Sequence, residues 1–294
     1  MLNAFAVLSK GLHEISSNLD YRINYTDNNE LKPVCDDFDS MAQRFSELSR
    51  ARHQDDENRR ELIASLSHDL RTPLTAIKAY VEGLETGVAA TPESQLRYLK
   101  IIKQKTEDIE HFVSQMFLYS KLNISTYPMH MEMTDIGFDL TSLVENIYDE
   151  YRQKGLDIAI TKNVAGIRIN ADRSQLRHMF INIFDNSVKY GNRENGTMRI
   201  SCRVEDLSVI ISLTDNGGGV SEANLDKIFN PFYRTDSARS NPGEGSGMGL
   251  SISTKIMQHH GGSIRAENVP GGFSVIITLP LEHGGPENEK NSHN

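Results

Sequence analysis

Two long stretches with a helical pattern, joined by a short loop, constrain the fold of this chain more than any other feature. The first, residues 57–87, places apolar side chains at helical spacing and stops at Gly87. The second begins at Thr91, an N-cap candidate, with Pro92 in the first helical position, and its apolar residues match those of the first. Because the loop is short, we expect the two helices to form an antiparallel hairpin.

A helical hairpin of this size has too little apolar core to be stable by itself. Pairing with a second copy buries both apolar stripes in a four-helix bundle, so the sequence predicts a homodimer held together by residues 56–125. The alternative is a hairpin that packs against another part of its own chain.

Composition excludes several other classes of protein. With 294 residues, 38% of them hydrophobic, two or three domains can each bury a core. The formal charge of -9 and the lack of a basic stripe argue against a nucleic-acid partner. Cys35 and Cys202 lack disulfide or metal-ligand spacing, which favours a reducing cytosol. No apolar run approaches the ~20 residues of a membrane span, so we expect a soluble, cytoplasmic chain.

The pattern of the chain changes on either side of the hairpin. Residues 1–55 are polar and helix-prone and predict two short helices around a connector, whereas residues 126–283 mix helix and strand patterns and predict an α+β sandwich domain. The polar tail, residues 284–294, is expected to be disordered. In the α+β domain we expect helices over 139–155, 172–191 and 246–262, and strands over 156–163, 197–206, 208–217 and 272–281.

One helix of the α+β domain carries a polar face suited to a phosphate ligand. Asn182, Asn186 and Lys189 are four and three residues apart and share this face, with Tyr190 beside them. An amide oxygen can ligate Mg²⁺, and a lysine attracts phosphate. The alternative is a solvated helix face.

Two glycine clusters follow in the same domain. In DNGGGV, the glycines allow close backbone approach to a ligand and Asp215 can accept a hydrogen bond from an exocyclic base amine, although Asn-Gly also fits a tight hairpin turn. In GEGSGMGLSI, a glycine run opens a helix whose N–H groups can hold phosphates. Neither a P-loop nor a dinucleotide-binding βαβ unit fits this second cluster.

Five motifs in this order resemble those of the bacterial two-component sensor histidine kinases. Across about residues 60–280, SHDLRTPL resembles their H box and IFNPFYR their F box, around the asparagine motif and the two glycine clusters. The resemblance implies an ATP-dependent protein histidine kinase that phosphorylates His68 and passes the phosphoryl group to an aspartate in the receiver domain of a response regulator. It also implies phosphatase activity toward that partner.

The resemblance assigns a role to each candidate residue of the hairpin. His68 is the nucleophile, whose neutral imidazole suits in-line attack on the γ-phosphorus of ATP, and Asp69 acts as general base or orients the ring. Arg71 stabilises charge or the active dimer, and Thr72 positions water in the phosphatase reaction. Pro73 is expected to kink the helix nearby. Without the resemblance, a solvated histidine is the simpler interpretation of His68.

The resemblance also assigns the ATP-binding residues. Asn186 resembles the Mg²⁺ ligand, Asp215 the residue that reads adenine, and the polar segment between the glycine clusters a mobile lid. The remaining candidates are Asn182, Lys189 and Tyr190 on the phosphate and ribose side, Gly217 and Gly219 beside Asp215, Gly245, Gly247 and Gly249 at the phosphates, and Arg234 at the γ-phosphate.

Residues 1–55 more loosely resemble a HAMP signal-relay module, which raises the expectation of a membrane anchor in a longer parent protein. Two other functions remain open: a clamp ATPase of the same nucleotide-binding superfamily, or a relay that binds nucleotide without transfer. Of the other histidines, His178 fits either the nucleotide region or helix packing, and His259 with His260 fits a charged helix C-terminus.

Overall fold

A computed structural model describes residues 2–16, 18–124, 127–164, 166–192, 195–235 and 247–281. It does not describe the side chains at positions 2–5, 7–8, 51, 54–62, 65 and 68. The chain divides into two compact units, Met1–Ser67 and His68–Asn294. None of the described helices is both long enough and apolar enough to cross a membrane.

The first unit contains helix α1 (Leu2–Ile15), a connector and the beginning of helix α2 (Lys32–Glu85). Phe38 and Ala42 of α2 are buried, and a Cβ atom on Gly11 of α1 would lie 3.3 Å from the ring of Phe38. The expected two helices around a connector are therefore present. The second helix is not short, however, because it continues without a break past residue 55, where the sequence predicted its end.

The connector is held by carboxylates that accept hydrogen bonds from backbone and side-chain donors. Asp39 of α2 accepts hydrogen bonds from the backbone N–H groups of Ile23 (2.7 Å) and Asn24 (2.9 Å). Asp20 of the connector accepts hydrogen bonds from Ser46 (2.9 Å) and Arg50 (2.6 Å) of α2. These bonds fix the path of the connector along the start of α2.

The predicted hairpin is formed by the second half of α2 and helix α3 (Pro92–Leu122). Thr91 caps α3 as expected, in a reciprocal capping box with Ser94. Where the two helices approach each other, the rings of Tyr80 and Tyr98 meet edge to face with their centroids 4.9 Å apart. Helix α2 continues through Pro73.

Helix α3 has two faces with different surroundings. Gln115 and Leu122 are buried on a face that packs against a helix of the α+β domain. Leu99, Val113 and Phe117 lie on the opposite face and are 53%, 49% and 62% exposed. The hairpin therefore packs on its own chain through one face and leaves an apolar stripe exposed on the other.

The α+β domain is a two-layer sandwich, as the sequence predicts. Its elements are β1 (Glu132–Asp135), α4 (Ile136–Gln153), β2 (Leu156–Lys162), β3 (Arg168–Ala171), α5 (Arg173–Tyr190), β4 (Gly196–Glu205), β5 (Ser208–Asp215), α6 (Gly249–His259), β6 (Ser263–Val269) and β7 (Gly272–Pro280). The five-stranded sheet has the order β2-β4-β5-β7-β6, with β2 parallel to β4 and the other neighbours antiparallel. Most strands alternate buried and more exposed residues, because helices α4, α5 and α6 cover one face.

Three strands were not predicted from the sequence. Strands β1 and β3 form a separate two-stranded antiparallel sheet, and β6 is an edge strand paired with β7 alone. Each contains Arg, Glu, Asp or Asn, which are uncommon in strands, and β1 and β3 are only four residues long. Short polar strands of this kind give no clear alternation in the sequence.

Candidate functional site

A cavity of about 490 Å³ lies between α5, the carboxyl end of β5, the start of α6 and helix α3. The expected helix face meets there with Gly217 and Gly219 of the first glycine cluster and with Gly247 and Gly249 of the second. The predicted residues that line it are Asn182, Asn186, Lys189, Tyr190, Asp215, Gly217, Gly219, Arg234, Gly247 and Gly249. Gly245 and residues 236–246 of the predicted lid lie outside the described residues, as does the tail predicted to be disordered.

Asp215, the last residue of β5, presents a carboxylate whose orientation is fixed from two sides. One oxygen accepts a hydrogen bond from the Ser187 hydroxyl (2.6 Å) and the other from the Gly217 backbone N–H (2.8 Å). A Cβ atom on Gly217 would lie 2.9 Å from this carboxylate and 3.0 Å from the backbone of Gly191. Glycine is therefore required for the turn to close against Asp215, which retains lone pairs to accept a hydrogen bond from a ligand amine.

Helix α5 is positioned by its N-cap and by a link to α6. The Asp172 side chain accepts hydrogen bonds from the backbone N–H groups of Ser174 and Gln175. Asn182 is 6% exposed and donates from Nδ2 to the carbonyl oxygen of Gly249, 3.3 Å away, at the first residue of α6. The asparagine face of one helix is thus joined to the N-terminus of the other.

The start of α6 approaches the cavity through a turn that only glycine accommodates well. Gly247 has φ +65°, and its carbonyl oxygen accepts a hydrogen bond from the backbone N–H of Phe232 at 3.0 Å. A Cβ atom at this position would lie 2.9 Å from the backbone of Phe232. The turn places Gly249 and Leu250, the first residues of α6, in the wall of the cavity, and the N–H groups at a helix N-terminus can bind phosphate.

The cavity has charged groups of both signs, with Lys189 and Arg234 as its cations and Asp185 and Asp215 as its anions. The buried Tyr151 hydroxyl donates to one oxygen of Asp185 at 2.8 Å. Burial and this hydrogen bond raise the pKa of Tyr151 well above its ordinary value. Asp185 is thereby held in place as a carboxylate in the wall of the cavity.

Several polar and charged residues of the cavity wall were not predicted from the sequence, among them Asp185, Ser187, His111 and Gln115. Ser187 and Asp185 belong to the asparagine motif, so their position in NIFDNSVKY was the available signal. His111 and Gln115 of α3 also line the cavity, and nothing in the pattern of α3 distinguishes them from solvated helix residues.

The candidate residues of the hairpin lie apart from this group. His68, Asp69, Arg71 and Thr72 all belong to α2, where His68 and Thr72 are one turn apart. Asp69 is half-buried, and Arg71 and Thr72 are exposed. The side chain of His68 is outside the described part of the structure. Among the described residues, those that line the cavity include none from α2.

Two other histidines are shielded from solvent, His178 partly and His260 almost completely. Burial and, after it, the charge of His111 lower the pKa of His178 on α5, whose Nε2 atom is buried without a hydrogen-bond partner, so helix packing accounts for it. The expectation of a charged helix end at His260 is wrong. His260 is 4% exposed, its Nδ1 donates to the carbonyl oxygen of Ile256 at 2.7 Å, and its Nε2 accepts from the backbone N–H of Asp172 at 3.0 Å. These partners require the neutral ring, and burial lowers its pKa.

Comparison with protein families gives two matches. Residues 58–123 match the His Kinase A (phospho-acceptor) domain, and residues 171–283 match the histidine kinase-, DNA gyrase B- and HSP90-like ATPase domain. Together these matches cover more than half of the chain, and the second includes all the cavity residues of the α+β domain.

Among curated proteins, the chain is 32% identical to the sensor protein kinase WalK of Staphylococcus saprophyticus, over 78% of this chain and 38% of that protein. It is 31% identical to WalK of Staphylococcus aureus, over 78% of this chain and 55% of that protein. The chain therefore spans about half or less of the length of these relatives.

Two solved structures share the fold. Histidine kinase AdeS of Acinetobacter baumannii aligns with a TM-score of 0.60 at 21% identity, covering 74% of this chain and 98% of that chain. Histidine kinase ThkA, in a complex with the response regulator protein TrrA, aligns with a TM-score of 0.65 at 24% identity, covering 80% of this chain and 66% of that chain. With its phosphoacceptor and ATPase domains in this order, the chain belongs to the sensor histidine kinases of two-component systems.

Proposed function

We propose that this chain is the kinase portion of a sensor histidine kinase, which binds ATP, phosphorylates His68 and passes the phosphoryl group to an aspartate of a response-regulator receiver domain. The observation that carries the proposal is the cavity that brings together the asparagine face of α5, Asp215 and the start of α6. The same chain carries, in its hairpin, the segment SHDLRTPL that resembles the H box. The ThkA structure, a histidine kinase in complex with a response regulator, supports the choice of partner.

In this function, the cavity residues position ATP and supply charge. Asp215, held by Ser187 and Gly217, accepts a hydrogen bond from the adenine amine. The turn at Gly247 and the N-terminus of α6, with Gly245 and Gly249, hold the phosphates. Lys189 and Arg234 stabilise negative charge on them, Gly219 shapes the turn beside Asp215, and Asn182 and Tyr190 complete the phosphate and ribose side.

Mg²⁺ fits this donor set. Asn186 is half-buried in the cavity and offers an amide oxygen, and Mg²⁺ takes few protein ligands because phosphates and water complete its octahedron. The described residues contain no cluster of three or more His, Cys, Asp or Glu that would form an all-protein metal site. When bound, Mg²⁺ supplies charge neutralisation across the phosphates.

At the hairpin, a lone pair of the His68 imidazole attacks the γ-phosphorus in line. The new N–P bond forms as the bond to the leaving oxygen of ADP breaks. Asp69 accepts the ring proton or fixes the tautomer, and Arg71 stabilises the developing charge. In the reverse role, Thr72 orients water against the phosphorylated aspartate of the partner.

We also propose a homodimer with a HAMP-like relay. The exposed apolar stripe of α3 supports the dimer, and α2 continues the pattern with Val34, Met41 and Leu48, which are 48%, 55% and 69% exposed. We assign residues 1–55 to the relay, 56–125 to the phosphoacceptor hairpin, 126–283 to the ATP-binding domain and 284–294 to a tail. A membrane anchor in a longer parent, with this portion in the cytoplasm, follows from the HAMP-like resemblance.

The experiment that tests the kinase proposal is incubation of the purified chain with γ-³²P-ATP and Mg²⁺, followed by acid and alkali treatment of the labelled protein. We expect acid-labile, alkali-stable label that is lost in His68→Gln and on chelation of Mg²⁺. His53→Gln is the matched control, because it removes another histidine from the same helix and should leave the label intact.

The same experiment separates the alternatives. ATP hydrolysis without label indicates a clamp ATPase, and ATP binding with neither label nor hydrolysis indicates a relay. Either result overturns the kinase proposal. Transfer from the labelled chain to a receiver domain then tests the partner.

A further inference from the structure

The hairpin contributes a polar pair to the wall of the ATP cavity. His111 and Gln115 are one turn apart on α3, and both line the cavity together with residues of α5 and α6. The Nε2 atoms of the two side chains are 3.5 Å apart. Gln115 is 7% exposed, whereas His111 faces the open cavity as an exposed residue.

The packing of α3 on α6 decides which side of the cavity this pair occupies. The described part of α6 contributes only its first two residues, Gly249 and Leu250, to the cavity wall. Gly249 is joined to Asn182 of α5 by the hydrogen bond described above. The pair therefore approaches the cavity from the side of α6, whose start lies in the same wall.

The face of α3 that carries this pair is attached to the ATP-binding domain. Leu122, on the same face as Gln115, is 2% exposed, and its carbonyl oxygen is 2.8 Å from Nε2 of His259 at the end of α6. The ring of His259 also meets that of Tyr127 edge to face, with centroids 6.4 Å apart. These contacts hold α3 along α6, so the pair belongs to a helix that is packed against the ATP-binding domain.

Imidazole and carboxamide groups both donate hydrogen bonds to phosphate oxygens. Given the proposed function, we propose that His111 and Gln115 bind the terminal phosphate of ATP, so that the hairpin itself completes the nucleotide site in this arrangement. ATP would then stabilise the packing of α3 on α6 more than ADP does, because ADP lacks the phosphate that the pair contacts.

The test compares nucleotide affinities of the full chain by titration calorimetry in Mg²⁺, with AMP-PNP and ADP as probes. We expect His111→Ala and the double variant with Gln115→Ala to bind AMP-PNP about tenfold more weakly, the loss typical of a hydrogen bond to a charged group. Their affinity for ADP should change less than about twofold. Gln104→Ala is the matched control, because it removes an exposed glutamine from the same helix outside the cavity.

The outcomes separate this inference from the proposed function. Unchanged AMP-PNP affinity in the double variant, or an equal loss for AMP-PNP and ADP, overturns the phosphate contact and leaves the kinase proposal standing. If the wild-type chain binds neither nucleotide, the proposed function fails as well. His111→Ala alone guards against a folding defect, because this side chain is exposed.

Discussion

At the residue scale, the hydroxyl of Ser187 decides how Asp215 faces a ligand. Ser187 is 5% exposed and donates to Asp215 at 2.6 Å. We predict that Ser187→Ala weakens binding of adenine nucleotides about tenfold, since a lost hydrogen bond to a charged group costs about 1.5 kcal/mol. Titration with ADP measures this loss.

The matched control for Ser187 is Ser274→Ala in β7. Ser274 is also buried, at 3% exposed, and its hydroxyl is hydrogen-bonded to that of Thr214 at 2.9 Å, but it does not line the cavity. Its loss should lower stability and leave nucleotide affinity unchanged. Equal affinities for ADP in both variants would show that Ser187 has no part in orienting Asp215.

The buried ring of His260 links folding stability to pH. Its pKa is lowered in the folded chain, so below the ordinary value of about 6.5 the unfolded chain binds more protons than the folded one. We therefore predict that the free energy of unfolding is highest above that pH. It should fall as the pH drops toward the folded pKa, by up to about 1.4 kcal/mol per pH unit for each such ring.

Urea unfolding at several pH values between 8 and 5 measures this dependence. His260→Gln should be less stable than the wild type at pH 8 and should lose less stability on acidification. Part of the dependence of the free energy of unfolding on pH should remain, because the pKa of His178 is also lowered. His130→Gln replaces an exposed ring and should retain the wild-type slope. If the stability of His260→Gln depends on pH as strongly as that of the wild type, the buried ring of His260 is not a source of this dependence.

At the scale of elements, the turn before α6 holds the phosphate end of the site in shape. We predict that Gly247→Ala lowers ADP affinity about tenfold, because it combines an unfavourable φ of +65° with a Cβ atom 2.9 Å from the Phe232 backbone. Gly271→Ala is the control. Its φ is also positive, at +77°, but nothing lies within 4 Å of the added atom.

Gly271→Ala should therefore cost about 1 kcal/mol of stability without affecting nucleotide binding. Thermal unfolding and ADP titration of the two variants separate the general cost of the backbone conformation from the local effect at the site. If both variants bind ADP as the wild type does, the turn at Gly247 does not shape the cavity.

Elements with a strong period or a clear cap could be predicted from the sequence. Helices α3 and α5 begin directly after the caps Thr91 and Asp172, and the buried strand β5 is itself rich in β-branched residues. The continuity of α2 was missed because residues 49–60 are polar, although they contain no glycine or proline that would end a helix.

The site was predictable only where it rests on local motifs. Asn186 and Asp215 lie in short segments with a recognisable residue order, whereas His111 and Gln115 reach the cavity through the packing of α3 on α6. That packing depends on the whole molecule and leaves no periodic trace in α3. The separation of the α2 candidates from the cavity likewise follows from tertiary structure.

In the whole molecule, the exposed apolar residues of α3 lie on one face of the helix, which indicates a surface that binds a partner. Leu99, Val113 and Phe117 lie on the face opposite Gln115 and Leu122, so packing on α6 cannot cover them. Exposed apolar residues that share one face of a long helix are stabilised when that face packs against another helix. We expect a second copy of this hairpin to provide the matching stripe.

We predict that Phe117→Glu dissociates the proposed homodimer, since it removes an apolar side chain and adds a charge on both copies of the interface. Loss of two buried phenylalanines, each worth roughly 1.5 kcal/mol or more, should raise the dimer Kd at least about 100-fold. Light scattering after size exclusion would then give the 33.0 kDa of a single chain. Leu207→Glu, at a residue 59% exposed in the turn between β4 and β5, is the control and should stay dimeric. If Phe117→Glu remains dimeric, the dimer interface does not include this stripe. If the wild-type chain is monomeric, the homodimer proposal is wrong and the hairpin packs only on its own chain.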